Sequence, residues 1–110
     1  MVERQNLLEI QDKIHSWIQE HGGYWSPLAM FTSIIEECGE LAREINYLEG
    51  FKPKKPTEKE GDLGEELADL LFSVVCLANY YKIDLGEKLN QVLEKYTTRD
   101  ANRFKKNKKN

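Results

Sequence analysis

Four carboxylates carry the chemistry that this sequence can do. Glu37 and Glu40 lie three residues apart, and so do Glu66 and Asp69. Residues at that spacing share one face of a helix. Each pair borders an apolar stripe, in Ile35-Glu36-Glu37-Cys38-Gly39-Glu40-Leu41-Ala42 and in Gly64-Glu65-Glu66-Leu67-Ala68-Asp69-Leu70-Leu71. The pairs can therefore converge where two packed helices meet. Two like charges about 4 Å apart repel by roughly 4 kcal/mol at an effective dielectric near 20. Four carboxylates on a half-buried seam thus need a counter-ion. An all-oxygen donor set suits a hard divalent cation, Mg2+ or Mn2+, and Mg2+ keeps positions for water and phosphate oxygens. Glu36 and Glu65 are expected either to face solvent or to support the ligands from behind. The ordinary alternative for the whole cluster is a pair of solvated acidic helix faces.

Other metal and nucleophile chemistries find less support. A di-iron centre in a helical bundle wants two Glu-x-x-His pairs. The chain has only His15 and His21, and Asp12-Lys13-Ile14-His15 has no second copy. Cys38 and Cys76 sit in separate helical patterns with no second pair, which leaves a thiolate zinc site unsupported. Neither a Walker-type glycine loop nor a nucleophile elbow occurs. Lys95, Arg99 and Arg103 are spaced by four and line one face late in the chain. They are either a solvated stripe at a helix C-terminus or, beside an acidic metal site, the positive groups that hold metal-bound phosphates from the far side. Tyr24 and Trp25 precede the first acidic helix, where an aromatic can stack on a nucleobase or plug a small core. Asn79 and Asn90 are polar positions that could reach a ligand, with nothing to single them out.

The elements that position these groups read as four helices. The first runs from about Glu3 to Glu20, with Leu7, Ile10, Ile14, Trp17 and Ile18 on one face and Gly22-Gly23 as its stop. Ser26-Pro27 opens the second, a capping hydroxyl followed by the residue that costs nothing in a first turn. Gly50 closes it. The segment 50–57 is a basic, proline-broken loop. Thr57 with Glu60 fits a capping box for the third helix, and Asp84 with Glu87 does so for the fourth. The fourth is expected to fray after Arg103 or Phe104. Short connections make neighbours antiparallel, so the expected fold is all-α, an antiparallel bundle of four main helices.

Bulk properties narrow the function classes. The 110 residues amount to 12.9 kDa and one domain, spanning 1–104, with 105–110 expected to be a basic disordered tail. Apolar residues make up 40%, enough for a modest core that a helical chain of this size is expected to complete by oligomerisation. Mean hydropathy is -0.65 and no apolar run approaches the ~20 residues of a membrane span. Two Arg, four Lys and one Asp give residues 99–110 a charge of +5, which leaves -8 on residues 1–98 for a net -3. An acidic body repels polyanions, so a nucleic-acid polymer is not the expected partner. Two unpaired cysteines and no leader-like N-terminus suit a reducing cytoplasm.

With these residues in view, the chain resembles the MazG-type nucleoside triphosphate pyrophosphohydrolases of the all-α NTP pyrophosphatase superfamily. Glu36-Glu37-Cys38-Gly39-Glu40 matches the family's E-E-x-x-E, and Glu66-Leu67-Ala68-Asp69 its E-x-x-D. The resemblance extends from about Tyr24 to Phe104. It implies Glu37, Glu40, Glu66 and Asp69 as metal ligands and Lys95, Arg99 and Arg103 as a basic phosphate-binding segment. It also implies base contact by Trp25 and a homodimer or homotetramer with the pocket near the subunit interface. The activity implied is Mg2+-dependent cleavage of a nucleoside triphosphate to the monophosphate and pyrophosphate, with house-cleaning of non-canonical nucleotides as the common role. Glu40 is the expected general base, with Glu37 beside it. The alternatives left open are a non-catalytic interaction module that uses its acidic face, and a hydrolase of non-nucleotide diphosphates.

Overall fold

The computed structural model describes the backbone of residues 5–51 and 61–107 and the side chains of 5–51 and 61–101. Four helices follow one another: α1 Leu7–Glu20, α2 Pro27–Leu48, α3 Leu63–Tyr80 and α4 Leu85–Asn107. The described residues contain no strand. No helix among them is long and apolar enough to cross a membrane.

Each helix start has a local cause. Asn6 accepts from the Glu9 amide at 2.8 Å, and so α1 begins at Leu7. The Ser26 hydroxyl accepts from the Ala29 amide at 3.2 Å, with Pro27 behind it. Asp84 accepts from the Glu87 amide at 3.1 Å. The start of α3 differs from expectation. Thr57 and Glu60 lie outside the described residues, and the cap is Asp62, which accepts from the amides of Gly64 and Glu65. A carboxylate at that position also faces the positive helix end. The far end of α4 differs too: the helix passes the expected fraying point at Arg103 or Phe104 and continues to Asn107. No glycine or proline interrupts residues 87–107, and a basic sequence is favoured at a helix C-terminus. Residues 108–110 of the expected tail lie outside the described ones.

The framework is an α2–α3 hairpin with α1 laid against α3. α4 packs against α1. At 1.5 Å per residue it is about 34 Å long, and most of its side chains are exposed. Only Met30, Val75, Cys76 and Ala78 are buried apolar residues among those described. The stripe on α2 is half open, with Phe31 at 50% and Ile35 at 56% exposure.

Gln11 joins α1 to the α3–α4 corner. It is 3% exposed. Its Nε2 donates to Asn79 Oδ1 at 2.9 Å and to the Ile83 carbonyl at 2.8 Å. Its Oε1 accepts from the Leu85 amide at 2.9 Å, an otherwise orphaned donor in the first turn of α4. Asn79 Nδ2 returns a bond to the Gln11 carbonyl. Asn79 is thus committed to the scaffold. Gln11 falls four residues after Leu7 and three before Ile14, inside the apolar stripe. That position was the signal for its burial, masked by its polar type. Gln11→Leu strands three buried polar groups and is expected to cost about 3 kcal/mol. Equilibrium urea unfolding measures this, and a loss below about 1 kcal/mol would show that water replaces these bonds.

Candidate metal centre

The α2–α3 seam brings three acidic side chains together. Glu37, Glu40 and Glu66 each offer a carboxylate oxygen, and these oxygens all lie within 4.8 Å of one another. Glu37 and Glu66 are half-buried and Glu40 is exposed. Asp69 is also exposed. It stands outside this closest trio yet near enough to push both Glu37 and Glu66 upward. Glu36 and Glu65 point to solvent.

The electrostatics favour binding of a positive charge. Burial, foremost, and then the Glu40 carboxylate push Glu37 above the ordinary carboxylate value. Burial and the charges of Glu40, Asp69, Glu44 and Glu65 do the same to Glu66. Glu37 Oε2 and Glu66 Oε2 are buried and accept no hydrogen bond among the described residues. Such oxygens are costly unless something binds them. An all-carboxylate donor set with two orphaned oxygens fits a hard divalent cation.

Glu44 is a contributor that sequence reasoning passed over. It lies one turn beyond Glu40 and is buried. Gly61 makes room for it, since a Cβ there would overlap the Glu44 carboxylate. Its signal was the spacing: Glu37, Glu40 and Glu44 continue the 3–4 rhythm of a helix seam.

One helical turn from Glu37 and Asp69, at Ser33 and Ser73, the two helices line a cavity of about 310 Å3. Trp17, Tyr24, Trp25 and Phe72 supply aromatic walls, and Met30, Ser33, Ser73 and Cys76 form the floor. Trp25 is 68% exposed at the rim. Trp17, on the apolar face of α1, is half exposed. It stacks on His21 with centroids 4.1 Å apart and meets the edge of Phe72 at 6.0 Å. Tyr24 is fixed by His15 at 2.7 Å, and burial pushes its phenol above the usual value. An apolar cavity lined by aromatic rings suits an aromatic ligand.

The basic stripe is elsewhere. Lys95 lies over the Tyr96 ring at 5.4 Å, and Arg99 stacks on the same ring at 4.8 Å while pairing with Asp100 at 2.7 Å. Among the described residues neither contacts the acidic trio, because α4 packs against α1. Arg103 lies outside the described side chains.

Comparison with known proteins follows the same lines. The family model described as the MazG nucleotide pyrophosphohydrolase domain matches residues 25–104. The uncharacterized Bacillus subtilis protein YpjD is 46% identical over 101 residues, 91% of each chain. The uncharacterized YvdC of the same organism is 30% identical over 82 residues, 68% of this chain and 76% of that one. The crystal structure of YpjD aligns with a TM-score of 0.76 at 43% identity, covering 86% of this chain and 98% of that one. A Bacillus-conserved MazG protein, described as a nucleotide pyrophosphohydrolase, aligns with a TM-score of 0.74 at 39% identity over 90% and 97% of the two chains.

Proposed function

We propose, from the premise that this chain belongs to the MazG nucleotide pyrophosphohydrolase family and is a hydrolase of nucleotide anhydride bonds, that it converts a nucleoside or deoxynucleoside triphosphate to the monophosphate and pyrophosphate with Mg2+ or Mn2+. The supporting observation is the pair of orphaned, buried oxygens on Glu37 and Glu66, which face one another across two helices beside an aromatic slot.

Glu37, Glu40, Glu66 and Asp69 hold the cation in this reading. When bound, the cation neutralises triphosphate oxygens and makes a coordinated water easier to deprotonate. Trp25 and the aromatic walls take the base and thereby orient the triphosphate toward the carboxylates. Glu40, the exposed member of the trio, accepts the proton of the attacking water. The water oxygen bonds to phosphorus as the α–β anhydride bond breaks and pyrophosphate leaves. That leaving group needs cations. In one chain Lys95 and Arg99 are remote from the trio, so they and Arg103 are delivered by the α4 of a second copy in a homodimer or homotetramer. The exposed apolar residues Phe31 and Ile35 supply surface for that contact.

The test is a panel of NTPs and dNTPs with Mg2+, assayed for pyrophosphate and for the monophosphate. Both products in equal amount are expected from at least one nucleotide. Release of orthophosphate would move cleavage to the terminal bond. Silence with every nucleotide would leave the acidic face to a binding role.

A further inference from the structure

The α2–α3 seam is a ladder whose two rails have the same spacing. On α2 the residues are Met30, Ser33, Glu37 and Glu40. On α3 they are Cys76, Ser73, Asp69 and Glu66. The intervals are three, four and three on both rails, running in opposite chain directions. These are seam positions of two packed helices. The two rails thus carry like residues in matching order: sulfur, hydroxyl, then carboxylates, with Met30, Ser33, Ser73 and Cys76 lining one cavity and Glu37, Glu40 and Glu66 one acidic cluster.

The middle rung has no role in the mechanism above. Ser33 and Ser73 are half-buried and line the same cavity. Among the described residues neither hydroxyl takes part in a hydrogen bond, whereas the neighbouring Thr32 hydroxyl is satisfied by the Leu28 carbonyl at 2.9 Å. Four residues of helix separate Ser33 from Glu37 and Ser73 from Asp69, a rise of about 6 Å. On the other side stand the aromatic walls. A nucleotide with its base among the aromatics and its phosphates at the carboxylates must lay its sugar across this rung.

We infer that Ser33 and Ser73 form the sugar subsite and bind a hydroxyl of the pentose, so that they read the sugar independently of the base. This assignment rests on the nucleotide reading of the cleft. Elsewhere the slot is lined by aromatic rings, His21, Ile18, Gly23, Met30 and Cys76. The Tyr24 hydroxyl and the His21 ring are engaged with His15 and the Trp17 carbonyl, so a sugar hydroxyl placed there finds the two serine oxygens, each able to donate and accept.

The experiment compares a dNTP, the matching NTP and the matching 2′,3′-dideoxynucleotide in wild type, Ser33→Ala, Ser73→Ala and the double variant. Alanine keeps the residues small and favours the helix, so close helix packing survives, which far-UV circular dichroism checks. Wild type is expected to prefer the sugar that carries its recognised hydroxyl over the dideoxy form by about 10-fold in kcat/KM. The double variant is expected to lose that preference and to handle the three sugars alike. Quenching of Trp17 and Trp25 fluorescence by a nucleoside and its dideoxy analogue reads the same preference without turnover. Equal handling of the sugars by wild type, or a preference that survives the double variant, would overturn the assignment and leave the nucleotide reading standing. Wild type that neither cleaves nor binds any nucleotide would overturn both.

Discussion

Glu66→Gln is expected to lower kcat/KM for pyrophosphate release by about 10²- to 10³-fold, the scale of removing one preorganised electrostatic group from a transition state. The same change is expected to raise the thermal midpoint of the metal-free protein. The two effects share one cause. Glu66 holds a buried oxygen without a partner and faces the Glu37 and Glu40 carboxylates. Glutamine keeps its shape and removes its charge, which relieves the repulsion and weakens the grip on a cation. Activity traded for stability is the mark of a strained functional site. Steady-state kinetics and thermal unfolding in chelator measure the pair of effects. A fall in both would make Glu66 a structural residue, and wild-type turnover would remove it from the site.

Chelation is expected to abolish turnover, and Mg2+ or Mn2+ to restore it. The accompanying change in stability depends on pH. Glu37 and Glu66 have folded-state values raised above the ordinary 4.5. Below 4.5 both are protonated whether the chain is folded or not, and the seam costs nothing. As pH rises through the raised values, the folded chain must release protons against the neighbouring charges, and stability falls. Asp100, lowered by its bond to Arg99, acts in the opposite sense. Arg99 is solvent-exposed, however, and such pairs contribute little. In chelator the thermal midpoint should therefore decline from pH 4.5 upward. A saturating cation should reverse the decline, since ligand at 100 times its Kd adds about 2.7 kcal/mol. Identical profiles with and without Mg2+ would mean that no cation binds between the helices.

The helices were legible because their causes are local. Ser26-Pro27 and Asp84 cap as their types require, and the 3–4 rhythm of apolar residues survives in every element. The start of α3 was not, because Asp62 and the Thr57–Glu60 box are both competent caps and only tertiary placement chooses between them. Glu37, Glu40 and Glu66 announced themselves as like charges with no reason to be neighbours. Gln11 and Glu44 did not, because a polar residue inside an apolar stripe looks like an interruption until its partners on distant helices are known. Trp17, Phe31 and Ile35 lie on apolar faces yet are half exposed: periodicity locates an apolar face without saying whether the same chain covers it.

The Gln11 amide has a consequence in time as well as in energy. One side chain on α1 closes the α3–α4 corner and holds the leading amide of α4, two segments separated by most of the sequence. Detaching α1 leaves the Leu85 amide and the Ile83 carbonyl without these partners. Hydrogen exchange of the Leu85 amide is expected to follow the release of α1 and not the fraying of α4 alone.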